Sequence, residues 1–166
     1  TQLNNPERGF SFSSDGPLDM RMDRKSSLFT AEKIINEFSE KQLSDIFFYY
    51  GDERNSRKIA SSIVKQRKKR MIKTTFALSE IIKKINNYDK KHPATRVFQS
   101  LRIFVNDELR ELDLFLNHIR NILKTEARIV ILSFHSLEDR IVKNFFKKNS
   151  NIKKKIVDQK ESDFYN

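Results

Sequence analysis

Two of the chain's three glycines and two of its three prolines fall within the first seventeen residues, so the rest of the sequence is almost free of the residues that punctuate a fold. They concentrate around RGFSFSSDGPLDMRMD, Arg8 to Asp23. There Gly9, Gly16 and Pro17 are interleaved with Phe10, Phe12, Leu18, Met20 and Met22 and with Asp15, Asp19, Arg21 and Asp23. Glycine admits backbone angles that other residues avoid and proline fixes one, so the segment predicts a preorganised loop and not a slack linker. An ordered surface loop with no further role satisfies the same pattern.

Beyond this loop the apolar residues take a helical period. Ala31, Ile34, Ile35 and Phe38 follow a cap at Thr30. Leu43, Ile46, Phe47 and Tyr50 follow the capping box Ser39-Glu40-Lys41-Gln42, with Gly51 as the stop. Further helices are predicted over 53–69 and 75–85. A long helical stretch then opens at Pro93 and breaks near Asp107. Ala127 to Phe134, ARIVILSF, is instead a short β-branched run that predicts a buried strand. His135-Ser136 leads from it into a helix carrying Leu137, Ile141, Val142, Phe145 and Phe146, with Ser136 and Asp139 as its cap. One strand makes no sheet, so its partners are expected outside this sequence, in a βα unit of a doubly wound fold. The polar, Lys-rich stretch 149–166 is expected to be disordered.

Charge narrows the function. The net charge of +11 points to a polyanionic partner, with nucleic acid fitting best. A lysine-rich composition of genomic origin accounts for the same balance. Nine Lys or Arg and no acid lie between Arg54 and Ser79. Arg57, Lys58, Lys68 and Arg70 in that stretch are candidate phosphate contacts, against the alternative of a merely solvated face. The absence of cysteine excludes disulfides and thiolate metal sites. No zinc spacing or phosphate-binding loop is present, and no metal is expected. No apolar run approaches the ~18 residues of a membrane span. A cytoplasmic protein without membrane contact is therefore expected. The start at Thr1-Gln2-Leu3, entering directly into loop, reads as a sequence cut from a longer protein.

The turn SFHSLEDR, Ser133 to Arg140, lies at the carboxyl end of the predicted strand, the edge where open α/β sheets bind ligands. His135 can bond a ligand through either ring nitrogen. Glu138 and Asp139 can equally serve the helix dipole. Arg96, Gln99 and Arg102 share one side of a helix, where they either contact RNA or brace a neighbouring domain.

Four blocks then carry a resemblance: Gln2-Leu3 with PERGFSFSSDGPLDMRMD, FFYYGDERNSRKIA (Phe47 to Ala60), HPATRVFQSLRIFVNDEL (His92 to Leu109) and ILSFHSLEDRIVKNFF (Ile131 to Phe146). In order and spacing they resemble the bacterial 16S rRNA (cytosine-N4)-methyltransferase family, RsmH or MraW. The resemblance implies a mainly α chain, namely a helical domain inserted in a truncated class I, Rossmann-like α/β methyltransferase domain. On this reading residues 1–24 form a junction, 25–110 the inserted helical domain for substrate recognition, 111–148 a helix-strand-helix piece of the methyltransferase domain, and 149–166 a basic tail. The implied activity is S-adenosylmethionine-dependent N4-methylation of a cytidine in the decoding centre, with 16S rRNA of the small ribosomal subunit as partner. A homodimer is compatible with it. Gln2 corresponds to the family's cofactor-contacting glutamine after the DLGVSS motif. The family's glycine-rich cofactor loop and final strands are not in this sequence, so the chain by itself is expected to be inactive. Where relatives carry a Pro-Gly-Gly turn, this chain reads Lys124-Thr125-Glu126-Ala127.

A cytosine amine is a poor nucleophile because its lone pair is delocalised into the ring, so catalysis rests on aligning it and accepting its hydrogen bonds. Asp15, Asp23 and His135 are the candidate catalytic acceptors, with Asp19 beside them, and Arg21 and Arg140 are available for phosphate or for pairing with the acids. The competing reading, which composition alone favours, is a non-enzymatic basic helical module that binds RNA. The SFHSLEDR turn separates the two, since a free-standing helical RNA binder has no use for it.

Overall fold

The computed structural model describes residues 5–25, 29–86, 92–124 and 126–149. Gln2 and the tail beyond Asn149 lie outside them. The chain divides into two units, 1–112 and 113–166.

The first unit is a bundle of short helices. α1 (Ala31–Glu37) starts where the Thr30 hydroxyl accepts from Lys33 N at 3.1 Å. α2 (Glu40–Gly51) starts with a complete capping box: Gln42 N donates to Ser39 Oγ at 3.2 Å and Ser39 N to Gln42 Oε1 at 2.9 Å. α3 (Ser56–Arg67), α4 (Thr75–Lys83) and α5 (Thr95–Val105) follow. α2 packs against α3 and α5, α3 also meets α4, and α1 touches α3 and α5. Leu43, Phe47, Ile59, Ile63, Leu78, Ile82 and Leu101 are fully buried in the shared core, each contributing on the order of 1.5–3 kcal/mol.

Gly51 does not end α2 in the way its position suggests. The left-handed turn falls on Asp52, at φ 49°, and Gly51 is the last helical residue. Its lack of a side chain serves packing instead, because a Cβ there would lie 2.5 Å from Arg96 O and 3.1 Å from Ser100 Cβ on α5. Pro93 likewise precedes α5, whose first turn begins at Thr95. The break near Asp107 is present, with Asp107 at φ 49°, and α6 (Glu108–Ile122) follows it.

Buried polar groups close the α2–α3 turn. Glu53 is fully buried; its carboxylate accepts from Asn55 N at 2.8 Å and from Asn86 Nδ2 at 3.0 Å. Asn86 also donates to Pro93 O at 3.2 Å and accepts from Asn55 Nδ2 at 2.8 Å. These bonds join the ends of α2, α4 and α5 and satisfy a carboxyl group that could not otherwise stay buried.

In the second unit α7 (Ser136–Asn149) forms as expected, but the strand before it does not. Residues 127–134 form no regular element, and no strand is present among the described residues. Val130 is 94% exposed, Leu132 76% and Phe134 81%, so the expectation of a buried strand is corrected. A strand is held by hydrogen bonds to its neighbours, and none of the described residues supplies them.

Candidate nucleic-acid interface

The opening loop is built from its own charges. Arg8 lays its guanidinium on the carbonyls of Arg21 and Met22 at 2.7 and 2.8 Å. Gly9, at φ 71°, ends the short 3-10 turn Pro6–Arg8, and a Cβ there would collide with the backbone of Pro17. Asp19 receives Arg21 through two bonds, 2.6 and 3.2 Å, and Arg24 at 3.2 Å. Burial alone would raise the Asp19 carboxyl, but the Arg21 hydrogen bonds and charge, helped by Arg24, outweigh it and hold it below the usual carboxylate value. Leu18 and Met20 are fully buried. Met20 takes φ 59°, a conformation costing of order 1–3 kcal/mol in a side-chain-bearing residue. It is held there by Met20 N donating to Arg8 O at 2.9 Å and by Asn106 Nδ2 donating to Met20 O at 2.8 Å.

The three loop acids and Arg21 thus have distinct surroundings. Asp15 serves the start of α4: its Oδ1 accepts from Phe76 N and Gly16 N, both at 3.0 Å, and from Thr75 Oγ1 at 3.3 Å. The Phe76 bond lowers its carboxyl; burial opposes this, and the bonds from Thr74, Gly16 and Thr75 tip the balance further down. The loop and α4 are joined further by Leu18 N to Lys73 O, 3.1 Å, and Thr75 N to Gly16 O, 2.9 Å. Asp23 is exposed and accepts from Lys25 N at 2.8 Å. Arg21, paired with Asp19, also donates to Arg24 O at 3.1 Å. Phe10 and Phe12 pack against the core, Phe12 stacking on His92 at 4.1 Å and meeting Phe98 edge-on at 5.3 Å.

His135 and Arg140 belong to the second unit. His135, not Ser136, caps α7: Glu138 N donates to its Nδ1 at 3.3 Å, and Glu138 Oε2 accepts from Phe134 N at 2.9 Å. The imidazole thus fills the capping place of a hydroxyl, and the Glu138 carboxylate reaches back one residue further, to Phe134 N. Nδ1 as acceptor leaves the proton of a neutral ring on Nε2, which is buried 3.4 Å from Glu138 Oε1. Nδ1 is thus engaged by α7 and Nε2 is shielded, so neither ring nitrogen is open to a ligand in this arrangement. Arg140 is exposed.

Along α3 and the following turn, Arg57, Lys58, Lys68 and Arg70 are exposed and make no ion pair among the described residues. Arg67 differs, donating to Ile35 O at 2.7 Å, and so ties α3 to α1. Arg70 and Lys73 border a groove of about 640 Å³ running along α4. Arg54, Arg57 and Lys58 border another of about 400 Å³ beside Phe48 and Tyr49. Arg96 and Arg102 brace: the first donates to Asp52 O at 3.0 Å, and the second pairs with Glu108 at 2.8 and 3.0 Å.

Comparison with known proteins gives this geometry its setting. The family model described as the MraW methylase family matches residues 1–162. The chain belongs to the MraW methylase family. Similar members include proteins named ribosomal RNA small subunit methyltransferase H from Rickettsia conorii and Rickettsia bellii, each 52% identical over 151 residues. The match covers 90% of this chain and 48% or 49% of those relatives, so the chain spans about half their length. In this MraW-family chain, reading the sequence missed Asn106, Glu53 and the exposed rings of Phe48 and Tyr49. Asn106 stood at a helix break that the periodicity did show, but its partners lie far away in sequence. Glu53 and the two rings gave no local signal.

Proposed function

We propose that this chain contributes the substrate-binding helical part of an enzyme that transfers a methyl group from S-adenosylmethionine to N4 of a cytidine in 16S rRNA. The 52% identity to proteins named ribosomal RNA small subunit methyltransferase H carries the reading. The unpaired cations Arg57, Lys58, Lys68 and Arg70 support it, since an RNA backbone needs such a face. The fold assigned to the whole protein is a Rossmann-like domain interrupted by this bundle.

The methyl donor, when bound, supplies a methyl group on a sulfonium; Gln2, the position assigned to it, lies outside the described residues. The described residues orient. Asp23 offers an exposed carboxylate on the loop, whereas the His135 ring is engaged at the start of α7 and shapes that turn. The Asp23 carboxylate can accept from the cytosine amine and hold it in line, while Asp15 keeps the loop's shape through α4. Arg140 is left for phosphate. The target base leaves its stack to reach this site.

The test is methyl transfer to small ribosomal subunits by the complete open reading frame, with Asp23→Ala and His135→Ala beside Asp15→Ala. Asp23→Ala is expected to lose activity with folding intact, and His135→Ala and Asp15→Ala to lose thermal stability as well, the first through the α7 cap and the second through α4. Unchanged transfer in all three overturns the assignment of these roles.

A further inference from the structure

α2 places two aromatic rings where the core has no use for them. Leu43, Ile46 and Phe47 already fill the inward face, yet Phe48 is 53% exposed and Tyr49 64% exposed. The two rings meet edge to face, centroids 5.2 Å apart, so each steadies the other on the surface. Tyr49 borders two hollows: one of about 400 Å³ toward α3, and one of about 360 Å³ beside Phe38 and Phe104. There is open space beside this ring in two directions.

The charge around it is one-sided. Arg54, Arg57 and Lys58 rim the larger hollow, all exposed, and none of their side chains is in an ion pair or hydrogen bond among the described residues. Asp45, the acid in its lining, is engaged by Lys41 at 3.2 Å. Ser44 Oγ donates to Ser56 Oγ at 3.3 Å, which ties α2 to α3 at this place. Flat apolar faces beside unpaired cations fit a ligand with planar rings on an anionic backbone. A duplex buries its base faces, whereas unpaired nucleotides present them, and sequence-tolerant stacking on aromatic side chains is how single strands are held.

We propose that Phe48 and Tyr49, with Arg54, Arg57 and Lys58, form a stacking platform for unpaired nucleotides of single-stranded RNA. The platform rests on the rRNA-substrate reading and deepens it: it grips a single-stranded stretch at the α2–α3 face of the first unit.

The test measures binding of the chain to a short fluorescent oligouridylate and to an RNA duplex of similar length by anisotropy. Phe48→Ala and Tyr49→Ala are expected to weaken oligouridylate binding roughly fivefold to a hundredfold and to leave duplex binding unchanged. Tyr49→Phe is expected to bind as the parent does. The chain contains no tryptophan, so Tyr49→Trp introduces a single indole, whose emission oligouridylate is expected to quench. Unweakened binding by both alanine variants, or an unquenched indole with RNA bound, overturns the platform and leaves the rRNA reading standing. A parent chain that binds neither RNA overturns both. Self-association that the alanine variants abolish without loss of RNA affinity assigns the rings to a second copy of the chain and overturns the proposal.

Discussion

Asn106 holds the backbone of Met22 across 84 residues of sequence: Met22 N donates to Asn106 Oδ1 at 2.6 Å. The same carboxamide donates to Met20 O and to Arg102 O, both at 2.8 Å, so one side chain fixes the loop to the α5–α6 break. It also holds Met20 in its positive-φ conformation. Asn106→Ala is expected to cost about 1–3 kcal/mol in denaturant unfolding. Hydrogen exchange at the Met22 amide should accelerate by more than at the core amides of α2. Equal acceleration at both sites contradicts a clamp specific to the loop.

Gly51→Ala sets helix propensity against packing. Alanine favours a helix interior by about 1 kcal/mol, which alone would stabilise α2. The added methyl meets Arg96 O at 2.5 Å, and overpacking of this kind costs about 1–3 kcal/mol. Net destabilisation in thermal unfolding is expected. A rise in melting temperature would show that α5 moves aside freely.

His92 makes stability depend on mild acid. Burial lowers its pKa, the Lys83 charge adds to this, and Glu80 opposes it weakly. The native state therefore binds fewer protons than the unfolded chain below the ordinary histidine value near 6.5. The stabilisation from a neutral, Phe12-stacked ring is complete above that value and is lost as pH falls toward the depressed native pKa. His92→Gln is expected to flatten the stability profile in this window. A profile that keeps its slope in the variant assigns the dependence to another group.

The basic face is separable by salt. Arg57→Ala, Lys58→Ala, Lys68→Ala and Arg70→Ala are each expected to weaken RNA binding and to reduce the salt slope by about 0.7 for a single strand. Arg67→Ala is expected to lower stability instead, because its guanidinium is spent on Ile35 O. Slopes unchanged in all four surface variants contradict a phosphate-binding role.

What could be read from the sequence followed how local its cause was. Caps at Thr30 and Ser39 act within four residues, and both form as the spacing predicted. Gly51 looked like a stop because its true constraint, Arg96 O on α5, is remote. Ser136 looked like a cap because hydroxyls usually fill that role, and the imidazole one residue earlier took it. The run 127–134 has the composition of a buried strand, but burial needs neighbours that the described residues do not provide. At the candidate site Arg57, Lys58, Lys68 and Arg70 were legible from charge patterning. Asn106 and the Phe48–Tyr49 pair depend on tertiary placement that no motif encodes.

Methylation of a cytidine amine in small-subunit rRNA is the activity proposed for the complete protein. It is tested most directly by incubating the complete open reading frame's product with unmodified small subunits and isotopically labelled S-adenosylmethionine, then digesting the 16S rRNA for nucleoside mass spectrometry. The label is expected in N4-methylcytidine. Label in any other nucleoside, or none in the rRNA under conditions where the protein is folded, contradicts the account.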